Sequence, residues 1–162
     1  MVKLYQLFIY CLFIIIIFSA NTFANENDLS FKNDNCYKEI VNGLEKRKLT
    51  LNIYYIPYHI LTDKPITKEN IIKNYYYKIT LNPSALYSYQ NDLKQIGECI
   101  FEKIEIPPKI DLRVYVEIKI KDEIMFTFGM GFSEYMLING EVVKTDMKPF
   151  SGVFRFLPDS GK

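Results

Sequence analysis

Residues 112 to 131 read LRVYVEIKIKDEIMFTFGMG. Leu112, Val114, Val116, Ile118 and Ile120 fall on one side and Arg113, Tyr115, Glu117 and Lys119 on the other, the period-two pattern of a strand with one buried and one wet face. Ile124, Phe126 and Phe128 offer the same apolar face in the next strand. A three-residue loop, Lys121 to Glu123, would pair Ile120 with Ile124, Ile118 with Phe126 and Val116 with Phe128. A two-residue loop would set Ile118 against Met125 and turn the large side chains to the wrong side, so the longer loop is expected. An antiparallel hairpin with one apolar face demands a cover, and that demand shapes the reading of everything around it.

Downstream, Gly129 and Gly131 bracket Met130 and suggest a bulge or tight turn. The runs 132–138 and 141–145 flank Asn139-Gly140, a strong two-residue hairpin signal. In the tail, Phe150, Val153, Phe154 and Leu157 have helical spacing with Asp146 as a cap, although VFRFL alone would also suit a last strand; the helix is preferred.

Upstream lies the cover. Asn82-Pro83 is a helix-entry signal, and Leu86, Tyr89, Leu93, Ile96 and Ile100 recur at three- and four-residue steps before Pro107-Pro108, predicting a central helix over 84–105. Tyr37, Ile40, Val41 and Leu44 predict a shorter helix over 36–46. Residues 49–60 and 75–81 are rich in β-branched and aromatic side chains and read as strands, the first edged, bulged or ended at Pro57. Between them Thr67 caps a short helical turn. The fold class is therefore α+β: one domain, residues 36–158, with an antiparallel sheet of five or six strands covered on one face by the central helix and the shorter helix beside it.

The ends suggest location. Lys3, an apolar run from Leu7 to Phe18, and Ser19, Ala20 and Ala24 follow the order of a secretory signal peptide, here residues 1–24, with an uncleaved anchor as the competing reading. Residues 25–35 are polar and read as flexible, and 159–162 as a short tail. The segment removed holds one cation, so 19 cations balance 19 anions. Zero net charge argues against nucleic acid, or a membrane surface after signal cleavage, as a partner, since both are recognised by neutralising phosphate. The remaining cysteines, Cys36 and Cys99, are expected to form a disulfide in an exported protein. It would close a loop of roughly sixty residues, worth about 4 kcal/mol by chain entropy. Two cysteines and one distant histidine make no tetrahedral metal set, and no cofactor motif is present.

Three groups are candidates for chemistry. His59 is the only imidazole, but nothing marks a nucleophile or orienting acid beside it. Glu98, Glu102 and Glu105, interleaved with Lys94 and Lys103, read as a solvated helix face, and Asp122 with Glu123 as a turn. The third group is Tyr54, Tyr55, Tyr58, Tyr75, Tyr76 and Tyr77, on two strands, where period two sends about half outward as a contact surface. The expectation is an exported, periplasmic or secreted binding protein without catalytic activity, an inhibitor or immunity-type protein acting on another protein such as a toxin or hydrolase. The alternatives are an envelope structural or adaptor domain and a small secreted hydrolase using His59 or a carboxylate pair.

Overall fold

The computed structural model describes residues 30–32 and 34–158; the expected signal peptide and C-terminal tail lie outside them. Among the described residues eight strands form a single antiparallel sheet: β1 (Ser30–Lys32), β2 (Leu49–Tyr55), β3 (Tyr77–Leu81), β4 (Ile100–Lys103), β5 (Leu112–Ile120), β6 (Glu123–Gly131), β7 (Tyr135–Ile138) and β8 (Glu141–Lys144). Their order is β1-β4-β8-β7-β6-β5-β2-β3, which leaves β1 and β3 at the edges. Four helices accompany the sheet: α1 (Asp34–Glu45), α2 (Lys68–Lys73), α3 (Gln90–Gly97) and α4 (Lys148–Ser151). Short 3₁₀ turns precede α3, at Ala85–Tyr89, and follow α4, at Gly152–Phe156. No helix among the described residues is long and apolar enough to cross a membrane. The α+β class and antiparallel sheet match the reading of the sequence.

Val116 faces Phe128 and Ile118 faces Phe126, as the hydrophobic pattern requires. The turn between them is nonetheless only two residues long. Ile120 pairs with Glu123, and both Lys121 and Asp122 have positive φ, 51° and 73°. That backbone twist suits the strands' own right-handed twist. A bulge between Ile118 and Lys119 then absorbs Met125 and restores the large residues to the core side. The expected three-residue loop is thus corrected to a tight turn plus a bulge; core burial fixes the register and the irregularity accommodates the turn. Asn139 and Gly140, with φ of 49° and 91°, form the expected two-residue turn between β7 and β8.

The central helix is shorter than expected. Asn82 Oδ1 accepts from Ala85 N–H at 2.9 Å and opens the helical segment as predicted, but α3 ends at Gly97 and Ile100–Lys103 is β4. Phe101 enters the core while Ile100 points to solvent. Pairing of β4 with β8 and β1 satisfies backbone groups in a way the local three-to-four spacing could not foretell. The same pairing makes Ser30–Lys32 a strand inside the segment read as flexible, and raises the strand count from five or six to eight. The tail takes the preferred helical form, with Asp146 Oδ1 accepting from Lys148 N–H.

The main core lies on one face of the sheet, where Leu51, Ile53, Val116, Ile118, Phe126, Phe128, Leu93, Ile96, Phe101 and Phe150 are buried together. α1 and α4 pack against α3 there. Gly152 permits the close approach of the tail, since a Cβ would fall 2.6 Å from Tyr89 Cε2.

The opposite face is not wet. Arg113, Tyr115 and Glu117, expected at the surface, are 3%, 0% and 6% exposed. The connection from β2 to β3 folds back over Arg113 and Tyr115, carrying α2 against β5 and β2. Its Ile56, Ile66 and Ile71 bury with Tyr54, Leu112 and Tyr115 as a second apolar cluster. Isoleucines in a long crossover need cover as much as strand residues do, and the sheet's second face is the nearest apolar surface.

Candidate functional site

Of the six tyrosines Tyr54, Tyr55 and Tyr77 lie on strands, and Tyr58, Tyr75 and Tyr76 in the connection between β2 and β3. Tyr54 and Tyr55 are buried on opposite faces of β2. Tyr55 stacks on Tyr77 with ring centroids 6.1 Å apart, and Tyr58 meets Phe132 edge-on at 4.9 Å. Tyr75 tilts against Tyr54 at 5.6 Å. Tyr76, 61% exposed, projects into solvent, and Tyr75 and Tyr77 are each exposed by about two fifths. Tyr75, Tyr76 and Tyr77 lead into β3, the terminal strand of the sheet. The outward set is therefore Tyr75, Tyr76 and Tyr77, and Tyr55 belongs to the core.

Behind that edge runs a polar row. Thr80 Oγ1 donates to Asn52 Oδ1, and Asn52 Nδ2 to Glu117 Oε2 at 3.3 Å. Glu117 Oε2 also accepts the Tyr54 hydroxyl at 3.2 Å and stands 3.1 Å from Lys119 Nζ. Three donors thus converge on one oxygen of a nearly buried carboxylate and fix its position. Burial, and then the Glu117 charge, push the Tyr54 phenol up to about 12. Lys78 Nζ lies over the Tyr54 ring, 5.3 Å from its centroid. The row links side chains of β3, β2 and β5 and so ties the three strands together.

The crossover is clamped by Arg113, the bulged residue opposite Gly131 and Met130. Its Nε and Nη2 donate to Asp111 Oδ2 at 3.0 and 2.7 Å, and Nη1 to the Ile60 carbonyl at 2.6 Å. Asp111 Oδ1 accepts from Ile66 N–H at 2.7 Å. The guanidinium also lies 5.1 Å from the centroid of the Phe132 ring. Beyond this clamp, between the crossover and the β7–β8 hairpin, opens a cleft of about 800 Å³. Lys64, Lys68 and Lys109 stand on its rim, and Ile110, Leu112, Leu137 and Val142 form its floor.

No protein-family model matches the chain, and no curated protein or solved structure matches it significantly.

The remaining candidates are dispersed. His59 is exposed in the turn after β2. Glu98 follows the end of α3, Glu102 lies on β4, and Glu105 lies beyond that strand. Asp122 sits in the two-residue turn and Glu123 opens β6. Among the described residues no group of His, Cys, Asp and Glu could hold a metal ion. Cys99 is a free, buried thiol whose Sγ donates to the Gln95 carbonyl at 3.3 Å; Cys36 lies on α1, and its side chain is outside those described. Arg113 and the three rim lysines escaped the sequence reading. Arg113 looked like an ordinary outward position, and the lysines converge from two separate connections. Asp111 and Arg113 flanking the strand start were the one legible hint of the clamp.

Proposed function

We propose that the protein is a non-catalytic binding protein that acts on another protein through the β3 edge. The observation that carries this is the placement of three successive partly exposed tyrosines at the entrance to a terminal strand. An edge strand offers backbone donors and acceptors to an extended segment of a partner, and flanking aromatic rings add rigid contact area with polar tips. The clamp and the Glu117 row hold that edge in place, which lowers the ordering cost of binding. With the export expected from the first 24 residues, the reading is an inhibitor or immunity-type protein directed at an exported toxin or hydrolase.

The test is affinity capture from the exported protein fraction of the source cells, with the wild-type protein and with Tyr75→Ala/Tyr76→Ala as bait. Retention of one exported enzyme by the wild type, inhibition of that enzyme by the purified protein, and loss of both with the variant are expected. Equal retention by the variant removes the tyrosine edge from the reading. Tyr55→Ala is unsuited to this test, because it would excavate the core.

A further inference from the structure

The cleft beside the β7–β8 hairpin is separate from the tyrosine edge and has the make-up of a small-molecule site. Its volume of about 800 Å³ lies within the roughly 300–1,000 Å³ of ligand pockets. The floor is aliphatic: Leu112 is buried, whereas Ile110, Leu137 and Val142 remain partly open to solvent. Three lysines line the same cleft in a chain whose net charge is only +1.

Those cations make no ion pair among the described residues. The ion pairs among the described residues are made by Lys103, Arg113, Lys119, Lys144 and Arg155, and Lys64, Lys68 and Lys109 take part in none of them. Among the described residues of the lining the one acid is Glu69, at the start of α2. Hydrogen bonds from its own backbone N–H and from the Thr67 side chain, and to a lesser extent the charges of Lys68 and Lys73, hold its carboxyl below the usual range. Lys68 is half-buried, with Nζ 5.7 Å from the centroid of the Tyr115 ring behind the floor.

Apolar surface left open beside unpaired ammonium groups is complementary to a molecule with an aliphatic body and one anionic end. An inorganic anion would leave the floor bare, and an uncharged or cationic amphiphile would leave the lysines unanswered. We infer that this cleft binds a free alkyl carboxylate, its chain laid on Ile110, Leu137 and Val142 and its head met by Lys64, Lys68 and Lys109.

The test is calorimetric titration of the purified protein with octanoate and decanoate at neutral pH and low salt, below their micelle concentrations. Saturable one-to-one binding is expected, tightening by about fourfold for each added methylene buried. Lys64→Gln/Lys68→Gln/Lys109→Gln should weaken decanoate binding by about tenfold, as three partly exposed charge pairs allow. Leu137→Ser should flatten the dependence on chain length. A control that removes the same charge elsewhere, Lys46→Gln/Lys94→Gln/Lys148→Gln, should bind like the wild type. The inference fails if no saturable binding occurs, if decyltrimethylammonium binds as well as decanoate, or if the control weakens binding as much as the rim variant. Sedimentation of the protein with phosphatidylglycerol vesicles, without binding of decanoate, would assign the lysines to a membrane surface and likewise overturn it.

Discussion

Tyr54 on β2 donates its hydroxyl proton diagonally across the sheet to Glu117 on β5, at 3.2 Å and out of contact with bulk water. The bond joins two residues whose alternation alone would place them on a solvated face. It also fixes the Tyr54 ring, on which Tyr75 of the outward set leans.

Tyr54→Phe should therefore cost about 1–2 kcal/mol at neutral pH, the worth of a hydrogen bond to a charged acceptor, read as a lowered urea midpoint with unchanged slope. The phenol is raised from 10.0 to about 12 in the folded protein, so between those values the native state holds a proton that the unfolded chain has released. Its contribution is complete below pH 10 and is lost as the pH rises towards 12. The variant should show a shallower loss of stability over that interval than the wild type. Parallel curves would remove Tyr54 as the source.

Arg113 holds the crossover in a nearly dry setting, and its side chain is 4% exposed against 27% for its partner Asp111. Arg113→Met leaves Asp111 without its counter-charge and frees the Ile60 carbonyl. A loss of about 3 kcal/mol is expected, as for other broken buried pairs. Amide exchange should locate the damage, with protection falling first at Ile60–Asn74 and least in β6. Uniform loss of protection would mean that the crossover is no separate unit.

Two glycines should respond oppositely to alanine in mechanism and size. At Gly131 a new Cβ would fall 1.9 Å from the Asp111 carbonyl oxygen, so the backbone at the start of β5 must move. Gly131→Ala is expected to cost about 3 kcal/mol or more and to loosen the Asp111–Arg113 clamp. At Gly140 nothing lies within 4 Å, and only the φ of 91° resists a side chain. Gly140→Ala should cost about 1 kcal/mol. Thermal unfolding of the two variants checks the order.

Burial, with Asp146 and Glu98 adding smaller effects, pushes the Cys99 thiol up to about 11. In the reduced protein at pH 8 its alkylation should be slower by about a hundredfold than in urea, because so little thiolate is present. The same assay decides between the Cys36–Cys99 bridge expected from the sequence and the free Cys99 thiol of the structure. Protein exported into an oxidising compartment and unfolded without reductant should take up no label at either residue. Full labelling there would show two free thiols.

The sequence by itself determined the local grammar: the turn at Asn139-Gly140, the Asn82 cap, the apolar faces of β2, β5 and β6, and the α+β class. Each follows from residue type and a period of two or three to four, and such signals need no partner far along the chain. Alternation on two strands did not sort the tyrosines, because Tyr58, Tyr75 and Tyr76 lie outside the strands and the three successive residues Tyr75, Tyr76 and Tyr77 are all partly exposed.

The tertiary structure decided what local periodicity cannot encode. Ile100–Lys103 continued a helical spacing, yet became a strand because β8 and β1 supplied its hydrogen bonds. Arg113 and Tyr115 alternated like surface residues, yet a crossover from elsewhere in the chain covered them. The cleft joins Lys64 and Lys68 to Lys109, Leu137 and Val142, residues brought together only by packing. Burial is a property of what lies opposite a side chain, and what lies opposite is set by non-local pairing and the free energy of covering apolar surface.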